Sequence, residues 1–365
     1  MIYTRSNNAE KLYARLKALS EYKGFAFGHQ NAGHLGVSIK AHDGSESDVK
    51  NIMGAHPMVI GVDTLSFSGY EGEFDDTVKV VQNLDKQGVI ITLSSHMPNF
   101  SLGEDDYIDY TPNITEGNVG TRIMPGGDLN AKYTRFLDRI AKFANLCRDE
   151  NDEPIAMIFR PFHEDNGSWF WWGAEHLPNK EYIELFRYTI EYLTKDQGVQ
   201  SFLFAYSPNG PFIDFKDYMA RYPGDEYIDI MGLDLYHDRP HKRDGFFDKL
   251  ATTIDVIASC AKNHSKIYAV TELGLRTLDD SSDDGYYEGL APSHNKVPDW
   301  YTQVLSTVMS KESLSGIAYL LTWANFSEGQ FWVPYQTENF KHEMVDDFVK
   351  FASDERVLLA GQEPN

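Results

Sequence analysis

The sequence has few cysteines, and its basic residues are well outnumbered by acidic ones. Only Cys147 and Cys260 occur among the 365 residues, so neither a disulfide framework nor a cysteine-based zinc site is indicated. Whether the two cysteines pair stays open. The 33 basic and 55 acidic residues give a net charge of -22, which disfavours nucleic acid and anionic membrane surfaces as partners.

Long apolar runs are also missing. The stretch from Met1 to Leu16 lacks the apolar core of a signal peptide, and no run approaches the roughly 18 residues of a membrane helix. We therefore expect a soluble chain that does not bind membranes. We also expect the protein to be a monomer. Because Met1 can stand where an export signal was removed, we expect a secreted or periplasmic location.

Eight short apolar segments that end in polar residues predict eight buried strands. They span residues 24–30, 57–63, 88–96, 155–164, 200–209, 227–236, 266–274 and 316–325. Segments with helical spacing lie before, between and after them, at 10–19, 78–86, 133–146, 180–193, 246–261 and 300–309. Alternation of this kind predicts a parallel sheet, and eight strands predict a closed (β/α)8 TIM barrel. No repeat or linker interrupts the chain, so we expect a single domain over residues 1–365.

Polar and titratable residues gather at the ends of these strands. They are His29, Gln30, Asp63, His96, Arg160, His163, Glu164, Asn209, Asp234, Tyr236, Glu272, Trp323 and Asn325. In a TIM barrel the carboxyl ends of the strands form the face where chemistry is done. Three long loops, 99–129, 278–298 and 326–340, are expected at the same face. The Asp-rich residues 279–284 lack the ligand spacing of an EF-hand and are expected to form a solvated loop rather than a Ca²⁺ site.

The stretch from Phe159 to Gly173, FRPFHEDNGSWFWWG, combines a carboxylic acid with a cluster of rings. Trp169, Phe170, Trp171 and Trp172 provide more aromatic surface than a connecting loop needs for its own stability. Flat apolar rings beside a carboxylic acid are well suited to a sugar ligand.

Two glutamates end strands that face each other across a barrel of eight. Glu164 ends the fourth predicted strand and Glu272, in AVTELG, ends the seventh. Glycoside hydrolysis requires two such carboxyl groups, about 5–5.5 Å apart for retention of configuration and about 6.5–9.5 Å apart for inversion. We expect the rings near Glu164 to raise its pKa and suit it to be the acid/base. Glu272 is expected to stay ionised as the nucleophile, helped by Tyr236 or Arg160.

These two blocks resemble those of glycoside hydrolase family 26, whose best-known members are β-mannanases. RPFHEDNGSWFWWG is similar to the family's acid/base block and VTELG to its nucleophile block. Weaker similarities are FGHQN at 27–31, LSSHMPN at 93–99, GLDLYHD at 232–238, TWANF at 322–326 and FWVPY at 331–335. The resemblance implies a (β/α)8 barrel with glutamates on strands four and seven, and net retention.

The resemblance also implies roles for individual residues. Glu164 corresponds to the acid/base and Glu272 to the nucleophile. The expected substrate-binding residues are His96, Arg160, His163, Trp169, Trp172, Asp234, Tyr236, Trp323 and Asn325. Two residues depart from the family pattern, since Asp165 stands where Met is common and Ser95 where Trp is frequent. No cofactor and no metal ion are expected.

The expected substrate is a β-1,4-mannan, a glucomannan or a manno-oligosaccharide. Both endo action and an exo-acting mannobiohydrolase are compatible with the sequence, as are the lichenase and β-1,3-xylanase activities of the same family. One alternative is a metal-dependent barrel hydrolase, because His29, His96, His163 and His237 fall near strand ends. Another is a sugar-binding barrel without catalysis.

Overall fold

The strands form a closed parallel barrel. The computed structural model describes residues 1–68, 71–103, 111–238, 240–241, 244–277 and 289–363. The strands are β1 (Phe25–Gln30), β2 (Val59–Asp63), β3 (Ile90–Ser95), β4 (Met157–Pro161), β5 (Phe202–Tyr206), β6 (Ile230–Asp238), β7 (Ile267–Arg276), β8 (Tyr319–Thr322) and the short β9 (Val357–Leu358). Each strand from β1 to β7 pairs in parallel with the next, β8 pairs with β1 to close the barrel, and β9 pairs with β1 at its edge. The predicted (β/α)8 barrel is confirmed.

Helices separate the strands and cover the barrel. They are α1 (Asn7–Glu21), α2 (Asp48–Met53), α3 (Phe74–Asp85), α4 (Val119–Arg122), α5 (Asn130–Leu146), α6 (Asn179–Glu191), α7 (Phe215–Tyr218), α8 (Phe246–His264), α9 (Trp300–Val308) and α10 (Val345–Ala352). A 3₁₀ turn, Met219–Arg221, follows α7. The six predicted helices are all present, whereas α2, α4, α7 and α10 were not predicted. None of the helices in the described part of the chain is long and apolar enough to cross a bilayer.

Helix α1 closes the amino-terminal end of the barrel. Ser6 caps it, accepting a hydrogen bond from the backbone N–H of Ala9 at 3.2 Å. Leu12, Leu16 and Leu19 recur at helical spacing and are buried with Ile158 and the other apolar side chains of the barrel interior. With this end filled, the opposite end of the strands is left for a cleft.

Four predicted strands end earlier in the structure than the sequence indicated. The third ends at Ser95, the fourth at Pro161, the fifth at Tyr206 and the eighth at Thr322. The residues that consequently lie in the loops after these strands are His96, His163, Glu164, Asn209, Trp323 and Asn325. The three predicted loops at this face are described at 99–103, 111–129, 289–298 and 326–340, whereas residues 278–288, including the Asp-rich stretch, lie outside the described residues. Cys147 and Cys260 are both free and buried.

Candidate active site

The pleat of β4 and β6 directs polar side chains into the barrel. Ile158 and Ile230 belong to the apolar interior, and alternate residues of a strand share a face. Arg160, Asp234 and Tyr236 therefore point inward above them. Arg160 donates a hydrogen bond to Asp234 at 2.9 Å, which ties β4 to β6 across the interior.

A β-bulge turns Glu272 toward the same interior. Leu233 pairs with Val270 but Asp234 pairs with Glu272, so β7 carries one extra residue, Thr271. Thr271 donates to Asp234 at 2.7 Å, and Glu272 contacts Arg160 and Tyr236. Bulges of this kind redirect a side chain beside a functional site. Without the extra residue, Glu272 would follow the outward alternation.

Two donors hold the carboxylate of Glu272. Tyr236 donates its hydroxyl to Oε2 at 2.6 Å, and Arg160 donates Nη2 to Oε1. Burial disfavours the charged form of Arg160, but the carboxylates of Asp234 and Glu272 outweigh it and raise the pKa of the guanidinium. Glu272 is 3% exposed, and the two hydrogen bonds fix the orientation of its carboxylate.

Glu164 has a different environment. Trp169 donates its indole Nε1 to Oε2 at 2.6 Å. Burial raises the pKa of Glu164 to about 7, and the negative charge of Glu272 adds to the rise. At neutral pH a large fraction of Glu164 is therefore protonated and able to donate a proton.

The two glutamates are close together. One carboxylate oxygen from each of Glu164, Asp234 and Glu272 lies within 4.8 Å of those of the other two. That spacing corresponds to the short separation of the retaining class and is below the roughly 6.5 Å that an inverting enzyme needs for a water molecule.

His96 and His163 form a second polar group near the carboxylates. His96 Nδ1 lies 2.8 Å from Asp63, and its Nε2 lies 3.2 Å from Nε2 of His163. Burial alone would lower the pKa of His96, but the carboxylate of Asp63 outweighs it and the pKa is raised. Burial and the charges of Arg160 and His96 hold the pKa of His163 well below its ordinary value. The pKa values of the two imidazoles are shifted in opposite directions, which favours His96 as the donor of this hydrogen bond and His163 as its acceptor.

These groups lie along a cleft of about 1050 Å³. That volume is at the upper end of the roughly 300–1,000 Å³ typical of small-molecule sites, so the cleft has room for an oligosaccharide. The predicted site residues that line it are His96, His163, Glu164, Trp169, Tyr236, Glu272 and Trp323. Four others, Arg160, Trp172, Asp234 and Asn325, are not among the lining residues.

Trp172 and Asn325 lie behind the cleft and are engaged with the protein. Trp172 donates to the carbonyl of His163 at 2.8 Å. Asn325 is fully buried and makes four hydrogen bonds, to Asp48, to the carbonyl of Val333, and from the backbone N–H groups of Trp332 and Val333. The structure thus places these two, like Arg160 and Asp234, beneath the residues that face the cleft.

Several lining residues were not anticipated from the sequence. Glu71 accepts from Asn31 at 2.6 Å, and burial, followed by the charge of Asp63, raises the pKa of Glu71 to about 7. Phe326 and Trp332 add aromatic surface on another wall. Both rings belong to the loop 326–340, which the sequence predicts at this face without indicating which of its residues line the cleft, whereas nothing in the local pattern around Glu71 indicates a site.

The four histidines near strand ends do not form a common ligand set. His237 lies 2.6 Å from Asp244 and accepts from Trp300 at 3.2 Å, while His29 is fully buried. In the described part of the chain, the one group of three possible metal ligands is Glu164, Asp234 and Glu272, where Arg160 already supplies a positive charge. This arrangement does not favour the metal-dependent alternative.

Comparison with known proteins agrees with this geometry. The model of glycosyl hydrolase family 26 matches residues 4–272. A mannan endo-1,4-β-mannosidase of Bifidobacterium adolescentis is 33% identical over 350 residues, covering 92% of this chain and 33% of that protein. The chain therefore spans about a third of the length of that relative.

Two solved structures are similar over nearly the whole chain. The catalytic domain of an endo-β-1,4-mannanase from Bacillus sp. JAMB-750 has a TM-score of 0.90 at 35% identity, covering 99% of this chain and 93% of that one. A modular endo-β-1,4-mannanase from Cellulomonas fimi has a TM-score of 0.86 at 33% identity, covering 99% and 77%. The chain belongs to glycosyl hydrolase family 26.

Proposed function

We propose that this protein is a retaining endo-β-1,4-mannanase that cleaves mannan, glucomannan or manno-oligosaccharides by double displacement. The observation that carries the proposal is the pair Glu164 and Glu272, whose carboxylate oxygens lie within 4.8 Å in one cleft. The names of the relatives described above support a β-1,4-mannan as the substrate.

In the first step Glu272 attacks the anomeric carbon and forms a glycosyl ester, while Glu164 gives its proton to the departing glycosidic oxygen. Arg160 and Tyr236 orient the nucleophile through the hydrogen bonds that they donate to it. In the second step Glu164, now a carboxylate, takes a proton from water, and the resulting hydroxyl replaces Glu272 on the sugar. Two inversions at one carbon give net retention.

The cleft offers suitable contacts for the sugar. Trp169 and Trp323 present rings on its surface, Tyr236 presents its hydroxyl beside Glu272, and His163 also lines the cleft. A mannosyl unit has an axial 2-hydroxyl beside the anomeric carbon, where such polar groups can reach it. A flat, neutral mannan chain also suits an acidic protein, because it carries no charge to be repelled.

The test is a reducing-sugar assay on mannan, glucomannan, lichenan and β-1,3-xylan. We expect turnover of the first two and little on the last two. A fast loss of mannan viscosity with few new reducing ends would support endo action, whereas release of mannobiose alone would identify a mannobiohydrolase. Preference for lichenan or β-1,3-xylan would assign a different substrate to the same machinery, and binding without products would favour the non-catalytic alternative.

We further propose that residues 1–365 form one catalytic domain that acts as a secreted or periplasmic monomer. The pairing of β9 with β1 supports the first part, since it brings residues near the end of the chain into the same sheet as the first strand.

A further inference from the structure

The backbone that carries Glu164 has an unusual conformation. Phe162 and Glu164 have φ angles of 51° and 53°, in the left-handed region that residues other than glycine rarely adopt. Such conformations are strained and persist only when the surroundings hold them. The position of Glu164 therefore depends on contacts made by its own backbone and by the loop that follows.

The carbonyl groups of this segment are held one after another. Tyr182 donates its hydroxyl to the carbonyl of Phe162 at 3.1 Å, and Trp172 donates Nε1 to that of His163 at 2.8 Å. The carbonyl of Glu164 accepts from the N–H of Gly167 at 3.1 Å. These contacts fix the residues up to Glu164.

Arg221 holds the residues that follow. Its guanidinium donates to the carbonyl of Asp165, to that of Trp172 at 3.2 Å and to that of Leu177 at 2.8 Å. It also stacks 4.0 Å over the ring of Tyr182. The side chain of Arg221, which lies in the turn after α7, thus links the start of the loop 165–177 to its end.

Arg221 is paired with the carboxyl group of Asp165. This group is fully buried, has no hydrogen-bond donor among the described residues, and lies 3.6 Å from Nε of Arg221. Burial raises the pKa of Asp165 to about 7, and the positive charge of Arg221 opposes the rise. At neutral pH the carboxyl group therefore offsets part of the charge of the buried guanidinium.

Trp169 lies in the loop 165–177, whose two ends Arg221 links. Its side chain is 40% exposed, so packing alone does little to fix it. Because its Nε1 donates to Glu164 at 2.6 Å, a displacement of the loop changes both the position and the ionisation of that carboxyl group.

We propose that Arg221 is a positioning residue for the acid/base: paired with Asp165, it holds the two ends of the loop 165–177 together so that Trp169 and Glu164 meet at the cleft. The inference rests on the proposed function only for the role of Glu164. The hydrogen bonds from Arg221 to the loop 165–177 do not depend on that function, and their effect on the loop can be tested without substrate.

The kinetic test compares two variants of Arg221. Arg221→Met removes all the hydrogen-bond donors of the guanidinium, whereas Arg221→Lys keeps one ammonium group, which can donate to fewer of the loop carbonyls. Arg5→Met is the matched control, because Arg5 pairs with the buried Asp229 at the opposite end of the barrel. For Arg221→Met we expect kcat/KM on mannan to fall roughly 10- to 100-fold. On an aryl β-mannobioside with a good leaving group, which needs little protonation, the loss should stay under about 3-fold, and Arg221→Lys should recover part of the loss.

The substrate-free test is amide hydrogen exchange of the three variants. We expect faster exchange confined to residues 162–177 in Arg221→Met and unchanged exchange there in Arg5→Met. Equal kinetic losses on both substrates, or exchange that rises throughout the protein in Arg221→Met, would overturn the positioning role. If the unmodified protein hydrolyses no mannan, the proposed function is wrong. The exchange result would still show whether Arg221 holds the loop 165–177 in place.

Discussion

Replacing Glu272 with glutamine should lower the pKa of Glu164. The negative charge of Glu272 is one of the two causes that raise this pKa to about 7, the larger being burial. The Glu272→Gln variant keeps the shape of the side chain and removes the charge, so burial of Glu164 is little changed. The positive charge of Arg160, no longer balanced by Glu272, then favours the ionised form of Glu164.

The size of the effect follows from the separation. Two unit charges 4.8 Å apart interact by about 3.5 kcal/mol at an effective dielectric constant of about 20, which corresponds to about 2.5 pKa units. Hydrogen bonds from Arg160 and Tyr236 already offset part of the negative charge of Glu272, which weakens its repulsion of an ionised Glu164. We therefore expect a fall of roughly 1–2 units, to a pKa of roughly 5–6.

The assay is a ¹³C NMR titration of protein labelled at the glutamate carboxyl carbons. The resonance of Glu164 is identified by its absence from the Glu164→Gln variant, and its midpoint is compared with and without Glu272→Gln. A pKa that stays near 7 or rises would refute the coupling and with it the proximity of the two groups.

The same coupling has a consequence for catalysis. Glu164 must be protonated in the first step, so kcat/KM should be lost as the pH rises through about 7. Once Glu272 is esterified its charge is gone, and the pKa of Glu164 falls. The group is then a carboxylate when the second step needs a base.

Three further substitutions test other parts of the site and the fold. Glu164→Ala should reduce turnover of mannan by several orders of magnitude but spare aryl glycosides with good leaving groups; equal losses on both, measured by steady-state kinetics, would argue against an acid role. Tyr236→Phe removes a hydrogen bond to a charged group, worth about 1.5–3 kcal/mol, and should lower kcat roughly 10- to 100-fold; an unaffected kcat would remove Tyr236 from the mechanism. Asn325→Ala should destabilise the protein by about 3 kcal/mol or more in denaturant unfolding, since it leaves the backbone N–H groups of Trp332 and Val333 without their partner and removes one donor from Asp48, which keeps those of Val37 and Ser38; a loss under about 1 kcal/mol would show that water replaces the amide.

The barrel was predictable because strands buried on both faces leave a plain pattern in a sequence. All eight apolar segments became strands, and their polar ends came together at one face. Helix α10 was missed because Val345–Ala352 is short and follows a long loop. The sequence predicts an end of β4 that lies after the observed one. Phe162 ends the strand by adopting a left-handed conformation, and no glycine in the sequence indicates that conformation there.

The two glutamates were predictable, but what holds them was predictable only in part. Tyr236 and Arg160 were named as possible donors to Glu272, and both make that contact. The bulge at Thr271 depends on the register between neighbouring strands, which one sequence does not contain. Arg221 approaches the loop from a distant part of the chain, so its contacts with the residues after Glu164 follow from tertiary packing alone.

The stereochemistry of the first product tests the central claim most directly. Hydrolysis of a manno-oligosaccharide, followed by ¹H NMR before the sugar mutarotates, distinguishes the two anomers. If Glu164 and Glu272 act together across 4.8 Å, the newly formed reducing end appears first as the β-anomer, with net retention. An α-anomer appearing first would require a water molecule between the two groups and would contradict the account.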